Sequence, residues 1–201
     1  MSIFVKICGM TDAEAIAAAV AAGADAVGFV FFEKSPRNIE PTRAAELAAE
    51  VPSHIRKVAV TLHPDQSLVD AILNELRPDV LQTDLGDFSQ LVIADGIEKW
   101  PVVREGADPA DGLPEGTFVY EGRMSGKGET VDWQVAANIA ARGRMILAGG
   151  LTADNVAVAV SRVSPFGVDV SSAVESRPGV KDPALVTAFV ERAKARTIRK
   201  T

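Results

Sequence analysis

Few side chains can move a proton near neutrality, and this chain is sparing with them. It has a single cysteine, Cys8, and two histidines, His54 and His63. The cysteine closes the apolar run Phe4-Val-Lys-Ile-Cys8 and is followed by Gly9. Side chains alternate along a strand, so Lys6 and Cys8 share a face. A peptide thiol titrates near 8.5, and a neighbouring ammonium lowers that value. Cys8 therefore suits a general base, and it equally suits the small buried position that most free cysteines fill. Glu121 ends another run, Thr117–Glu121, just before Gly122-Arg-Met-Ser-Gly-Lys-Gly128. A carboxyl group beside a glycine-rich loop fits a general acid under a lid, or an exposed side chain on an ordinary loop.

Other residues could bind rather than react. Arg37, in the loop Ser35-Pro36-Arg37, has the planar fork that grips a carboxylate; the plain alternative is a solvated surface arginine. Gly149-Gly150 precedes a helical stretch, where glycines let backbone N–H groups approach an anion. Asp169, Ser171 and Ser172 end the last apolar run, with Asp169 and Ser171 on one face. If that strand pairs with the first, Asp169 lies opposite Lys6 and can neutralise it. His54 beside a helix end and His63 before Pro64 read as exposed or internally satisfied.

These residues need a scaffold that brings strand ends together. Apolar, β-branched runs fall at Phe4–Cys8, Ala26–Phe31, Lys57–Leu62, Asp79–Gln82, Trp100–Arg104, Thr117–Glu121, Met145–Ala148 and Gly167–Ser171. Alanine-rich helical stretches lie between most of them. Thr11-Asp-Ala-Glu14 reads as a capping box with Gly23 as C-terminal cap, and Pro41 suits a first helical turn. A third helix covers 67–76 and stops before Pro78. Others cover 132–141 and 152–161, and the last opens at Asp182-Pro183 and ends in the basic stretch 194–200. Residues 105–116 carry two prolines and three glycines, so the fifth crossover is reduced to a loop. Eight alternating units predict a parallel sheet closed into a small (β/α)8 TIM barrel, with one domain over 1–201. The runner-up, an open doubly wound sheet, lacks the dinucleotide fingerprint after its first strand. Barrel chemistry collects at the C-terminal strand ends, and the loops after strands seven and eight are a common phosphate site.

Composition narrows the partners. Of 201 residues 47% are hydrophobic and 24% charged, and the net charge is −6. That charge argues against nonspecific nucleic-acid binding. No run reaches the ~18 apolar residues of a membrane span, and Lys6 interrupts the one near the N-terminus, so a cytoplasmic location is expected. One cysteine and two histidines leave neither a disulfide nor a multi-cysteine zinc site. A phosphorylated ligand must be held by local backbone donors rather than by overall charge.

Taken together, these motifs resemble the phosphoribosylanthranilate isomerase family. Lys6-Ile-Cys-Gly-Met-Thr11 resembles its opening motif; Gly23-Ala-Asp25, Gly28-Phe29 and Ser35-Pro-Arg37 its second unit; Val131-Asp-Trp133 the segment after strand six. Leu147-Ala-Gly-Gly-Leu151 with Asn155, and Gly167-Val-Asp-Val-Ser-Ser172 with Glu175, Gly179 and Lys181-Asp182, resemble the seventh and eighth. The resemblance implies an Amadori rearrangement of N-(5-phosphoribosyl)anthranilate, without a cofactor. Cys8 would be the base at ribose C2, and Glu121 would stand in the place of the family's aspartate acid. Arg37 would hold the anthranilate carboxylate, and Gly149, Gly150, Ser171 and Ser172 the phosphate. A monomer is expected, with a homodimer as the alternative. Three departures stand out: Glu121 itself, Gln82-Thr83-Asp84-Leu85 where the family has Gln-Leu-His-Gly, and Ala173 in place of a glycine. They leave open a related phosphosugar isomerase or a non-catalytic phosphate-binding barrel.

Overall fold

The computed structural model describes residues 2–106, 112–123 and 130–195. Its elements run β1 (Phe4–Cys8), α1 (Ala13–Ala22), β2 (Ala26–Phe31), α2 (Pro41–Ala48), β3 (Arg56–Thr61), α3 (Gln66–Glu75), β4 (Val80–Asp84), β5 (Glu98–Arg104) and β6 (Thr117–Glu121). They continue α4 (Trp133–Ala140), β7 (Arg144–Leu147), α5 (Val156–Val163), β8 (Gly167–Val170), β9 (Glu175–Arg177), β10 (Val180–Lys181) and α6 (Pro183–Lys194). Strands β1 to β8 pair in parallel and in sequence order, and β8 returns to β1, closing the barrel. β9 and β10 form a separate antiparallel hairpin after β8.

Alternation along each strand sorts the apolar residues into two cores. Ala26, Val58, Val80, Trp100, Val102, Val119 and Ile146 fill the lumen, with Phe4, Val60 and Phe166 against them. The intervening residues, among them Val27, Phe29, Leu81, Phe118 and Val168, face outward and pack with Ile16, Leu47, Ile72, Val156 and Phe189 from the helices. Packing on both faces leaves strands rich in apolar residues throughout.

Helix ends follow the sequence signals with two exceptions. Gly23 caps α1 in the left-handed region (φ 81), and Pro41 opens α2. The cap of α1 is Asp12, not Thr11: the Asp12 carboxylate accepts from the Ala15 N–H, while the Thr11 hydroxyl donates to the Gly179 carbonyl at 2.8 Å. The helix expected from Thr152 starts at Val156, because residues 152–155 form a turn locked by Asn155 Oδ1 accepting from the Thr152 N–H. Between β5 and β6 the described residues carry no helix; 107–111 lie outside them, as does the basic stretch 196–200. The fourth crossover has also lost its α-helix and keeps one 3-10 turn, Leu85–Ser89.

Candidate active site

At the C-terminal ends of the strands, the register sets charge against charge. Lys6 is paired with Asp169 across β1 and β8, and its ammonium lies 2.8 Å from Asp169 Oδ2. Lys6 is fully buried, and Asp169 nearly so. Burial alone would lower the lysine, but Asp169 and then Cys8 overcome it and raise its pKa to about 12. Lys6 is therefore a permanent cation beneath the site.

Cys8 follows one step up the same face. Its partner across β2 is Gly28, where a Cβ would lie 3.0 Å from Cys8 Sγ and 3.3 Å from Lys6 Cε. A glycine at this position makes room for both side chains. Burial pushes the Cys8 thiol above its ordinary value; Lys6 and Lys181 pull against it, and Asp169 adds to it. The lysine alone was expected to lower the thiol, but a buried thiolate loses more solvation than these ammonium groups return.

Arg37 lies over Gly9, the residue after Cys8, where a Cβ would meet Arg37 Cδ at 2.6 Å. Its Nε and Nη2 donate to the two oxygens of Glu175 at 2.7 and 2.8 Å. Lys181 Nζ reaches the same carboxylate at 2.8 Å and the Ser171 carbonyl at 3.0 Å. The β9–β10 hairpin thus supplies a carboxylate and an ammonium that stiffen the loop holding Arg37. Sequence reasoning matched Glu175 and Lys181 to motifs without seeing this role.

Opposite lies the anion-binding candidate. Gly149 and Gly150 have φ of 91 and 60, a backbone that L side chains rarely adopt. Asn155 Nδ2 braces the turn by donating to the Gly150 carbonyl at 2.9 Å. Ser171 ties the two halves together by donating from its hydroxyl to the Cys8 carbonyl at 3.0 Å. A cavity of about 150 Å³ opens here, bordered by Glu121, Gly149, Gly150, Asp169, Ser171 and Ser172. The structure thus brings Glu121 to one cavity with the glycine turn and the paired serines.

Glu121 is in turn gripped by a residue the sequence reading passed over. Arg104, at the end of β5, donates from Nη1 to Glu121 Oε2 at 2.8 Å and from Nη2 to Asp84 Oδ1 at 2.5 Å. Its signal was present in the sequence: Trp100, Val102 and Arg104 share the lumen face, and the charge falls at the strand's C-terminal end. His63 is exposed and pairs with Asp87 at 2.8 Å, as a satisfied histidine should. Residues 124–128 of the expected lid lie outside the described residues. Among the described residues no cluster of His, Cys, Asp and Glu could hold a metal ion. Four cations and four carboxylates meet here: Lys6 with Asp169, Arg37 and Lys181 both with Glu175, and Arg104 with both Asp84 and Glu121. Among these described residues the charges balance, which leaves backbone donors for a bound phosphate.

The family model of N-(5'-phosphoribosyl)anthranilate isomerase matches residues 5–192. The chain belongs to this family. A phosphoribosylanthranilate isomerase of Geotalea uraniireducens is 42% identical over 198 residues, covering 94% of this chain and 98% of that protein. A solved phosphoribosylanthranilate isomerase in complex with reduced 1-(o-carboxyphenylamino)-1-deoxyribulose 5-phosphate superposes with a TM-score of 0.80 at 29% identity, covering 96% and 98% of the two chains. A monomeric form of the dimeric isomerase from Thermotoga maritima gives the same TM-score, identity and coverage. Full-length matches on both sides mean that the family's barrel is present with all eight strands.

Proposed function

We propose that in this member of the phosphoribosylanthranilate isomerase family Cys8 is the general base and Glu121 the general acid. The chain is an aldose–ketose isomerase of tryptophan biosynthesis, acting on N-(5-phosphoribosyl)anthranilate. One observation carries the residue assignment: Glu121 borders the same small cavity as Gly149, Gly150, Ser171, Ser172 and Asp169, and Asp169 is hydrogen-bonded to Lys6 beside Cys8.

The chemistry is two proton transfers. In its protonated form Glu121 gives a proton to the furanose ring oxygen; the C1–O bond breaks and the nitrogen lone pair forms an iminium. The Cys8 thiolate takes the proton from C2, leaving an enolamine that tautomerises to the 2-ketone, 1-(2-carboxyphenylamino)-1-deoxyribulose 5-phosphate. Only protons move, so the step needs no redox group. Burial holds Cys8 protonated, and the thiol must shed its proton before it acts; Lys6 favours the thiolate. The phosphate sits on the backbone of Gly149 and Gly150 and at Ser171 and Ser172. Arg37 spends Nε and Nη2 on Glu175, and its remaining nitrogen, Nη1, faces the anthranilate carboxylate. In this reading 1–201 is one domain, monomeric and cytoplasmic. No described helix is long and apolar enough to cross a membrane.

The test is turnover of freshly generated phosphoribosylanthranilate, followed by loss of its anthranilate-type fluorescence. The wild type should turn over, and Glu121→Asp should be slower by ~100-fold, the loss that ~1 Å of misplacement produces. A silent wild type beside an active Glu121→Asp would overturn the assignment.

A further inference from the structure

Glu121 has three rotatable side-chain bonds, and an acid that must meet one ring oxygen cannot wander. The carboxylate is reached through a chain of three lumen-facing groups at the ends of neighbouring strands. Arg104 and Glu121 are register partners across β5 and β6, and Asp84 ends the adjoining β4. The guanidinium donates through Nη1 to Glu121 Oε2 at 2.8 Å, and through Nη2 and Nε to Asp84 Oδ1 at 2.5 and 3.2 Å. Each of the three is about one-fifth exposed, so the fork is partly shielded from water and its geometry is held. Asp84 precedes the 3-10 turn Leu85–Ser89 but makes no cap bond to it, and its Oδ1 is given to Arg104. Asp87, one turn later, takes the Thr83 hydroxyl at 2.5 Å and the His63 ring at 2.8 Å and so anchors the turn, while His63 Nε2 stands 3.9 Å from the second Asp84 oxygen, Oδ2.

We infer that Arg104, held from behind by Asp84, is a positioning residue that fixes the Glu121 carboxylate over the cavity. The inference rests on Glu121 being the acid. Two N–H groups on Asp84 fix the guanidinium plane, so the third bond has a defined direction; this is the rigidity a planar fork provides and an ammonium does not. All three nitrogens of the Arg104 guanidinium are directed at Glu121 and Asp84, so in this proposal it acts through Glu121.

A double-mutant cycle separates acting through Glu121 from a general role in stability. In the wild-type background Arg104→Met should lower kcat ~10–100-fold and change KM less than ~3-fold, as expected for an acid misplaced by up to ~1 Å. In the Glu121→Gln background the same substitution should cost almost nothing further. Arg104→Lys, which keeps the charge but not the fork, should recover only part of kcat, and Asp84→Asn should lie between wild type and Arg104→Met. Thermal melts on each variant identify folded protein, and Arg104→Lys serves where Arg104→Met does not fold. Losses that multiply fully across the cycle, or a loss confined to KM, overturn the inference. A wild type that turns over while Glu121→Gln keeps full kcat overturns the acid assignment instead, so the two failures are distinct.

Discussion

Lys6→Met tests whether the buried ion pair is the keel of the site. The substitution removes an ammonium 2.8 Å from Asp169 Oδ2 and leaves the rest of the side chain's volume nearly intact. Asp169 is almost fully buried, and its other oxygen, Oδ1, has no hydrogen-bond partner among the described residues. Lys181 and the Val170 backbone N–H then compensate the orphaned carboxylate only in part. Breaking a buried pair on one side costs about 3–5 kcal/mol. For a chain of this size each kcal/mol moves Tm by about 2–4 °C, so calorimetry should show a fall of roughly 6–20 °C. The sign of the pH dependence is fixed as well. Without Lys6 the folded Asp169 binds its proton more tightly than the unfolded one, whose pKa is about 3.9. The penalty is then full near neutrality and shrinks as pH falls toward 4. Lys6→Met with Asp169→Leu should restore most of the stability, since neither charge is left buried alone. A single variant within 2 °C of wild type at pH 7, or a double variant as unstable as the sum of its parts, would refute the reasoning.

Two further predictions rest on separate features. Burial raises the Cys8 thiol, and the base works as thiolate, so kcat/KM should still be climbing at pH 9; a profile already flat at pH 7.5 contradicts the assignment. Gly179 has φ +83, and a Cβ there would lie 2.3 Å from the Pro36 carbonyl oxygen. Gly179→Ala should push the β9–β10 hairpin off the Arg37 loop, costing about 2–5 kcal/mol in calorimetry and raising KM through the displaced guanidinium. An unchanged melt and KM would show that the hairpin does not steer Arg37.

The barrel was legible because hydrophobic period and punctuation agreed at every unit. The eight runs proposed from sequence are the eight barrel strands, shifted at most by two residues at an end, Gly23 caps α1 and Pro41 opens α2 as expected, while the β9–β10 hairpin had no counterpart among the runs. Local competition between neighbours was not legible. Thr11 and Asp12 are both good caps, and only the folded chain shows Thr11 drawn away to Gly179. Pairings between adjacent strand ends divided the same way. Lys6 with Asp169 could be read because closing a barrel puts the last strand beside the first. The Asp84–Arg104–Glu121 chain depends on register across three strands, which the hydrophobic pattern leaves open by whole two-residue steps. The grip of Glu175 on Arg37 spans 138 positions and has no local signature at all.

The central claim, that Cys8 supplies the base of this isomerase, is tested most directly by Cys8→Ser. Serine keeps the size and the place beside Lys6 and Gly28 but holds its proton far more tightly than a thiol. Turnover of phosphoribosylanthranilate should fall by ~100- to 10,000-fold, the usual contribution of a positioned base, while affinity for a reduced carboxyphenylamino deoxyribulose phosphate stays within a few-fold of wild type. A Cys8→Ser protein that turns over at the wild-type rate would contradict the account.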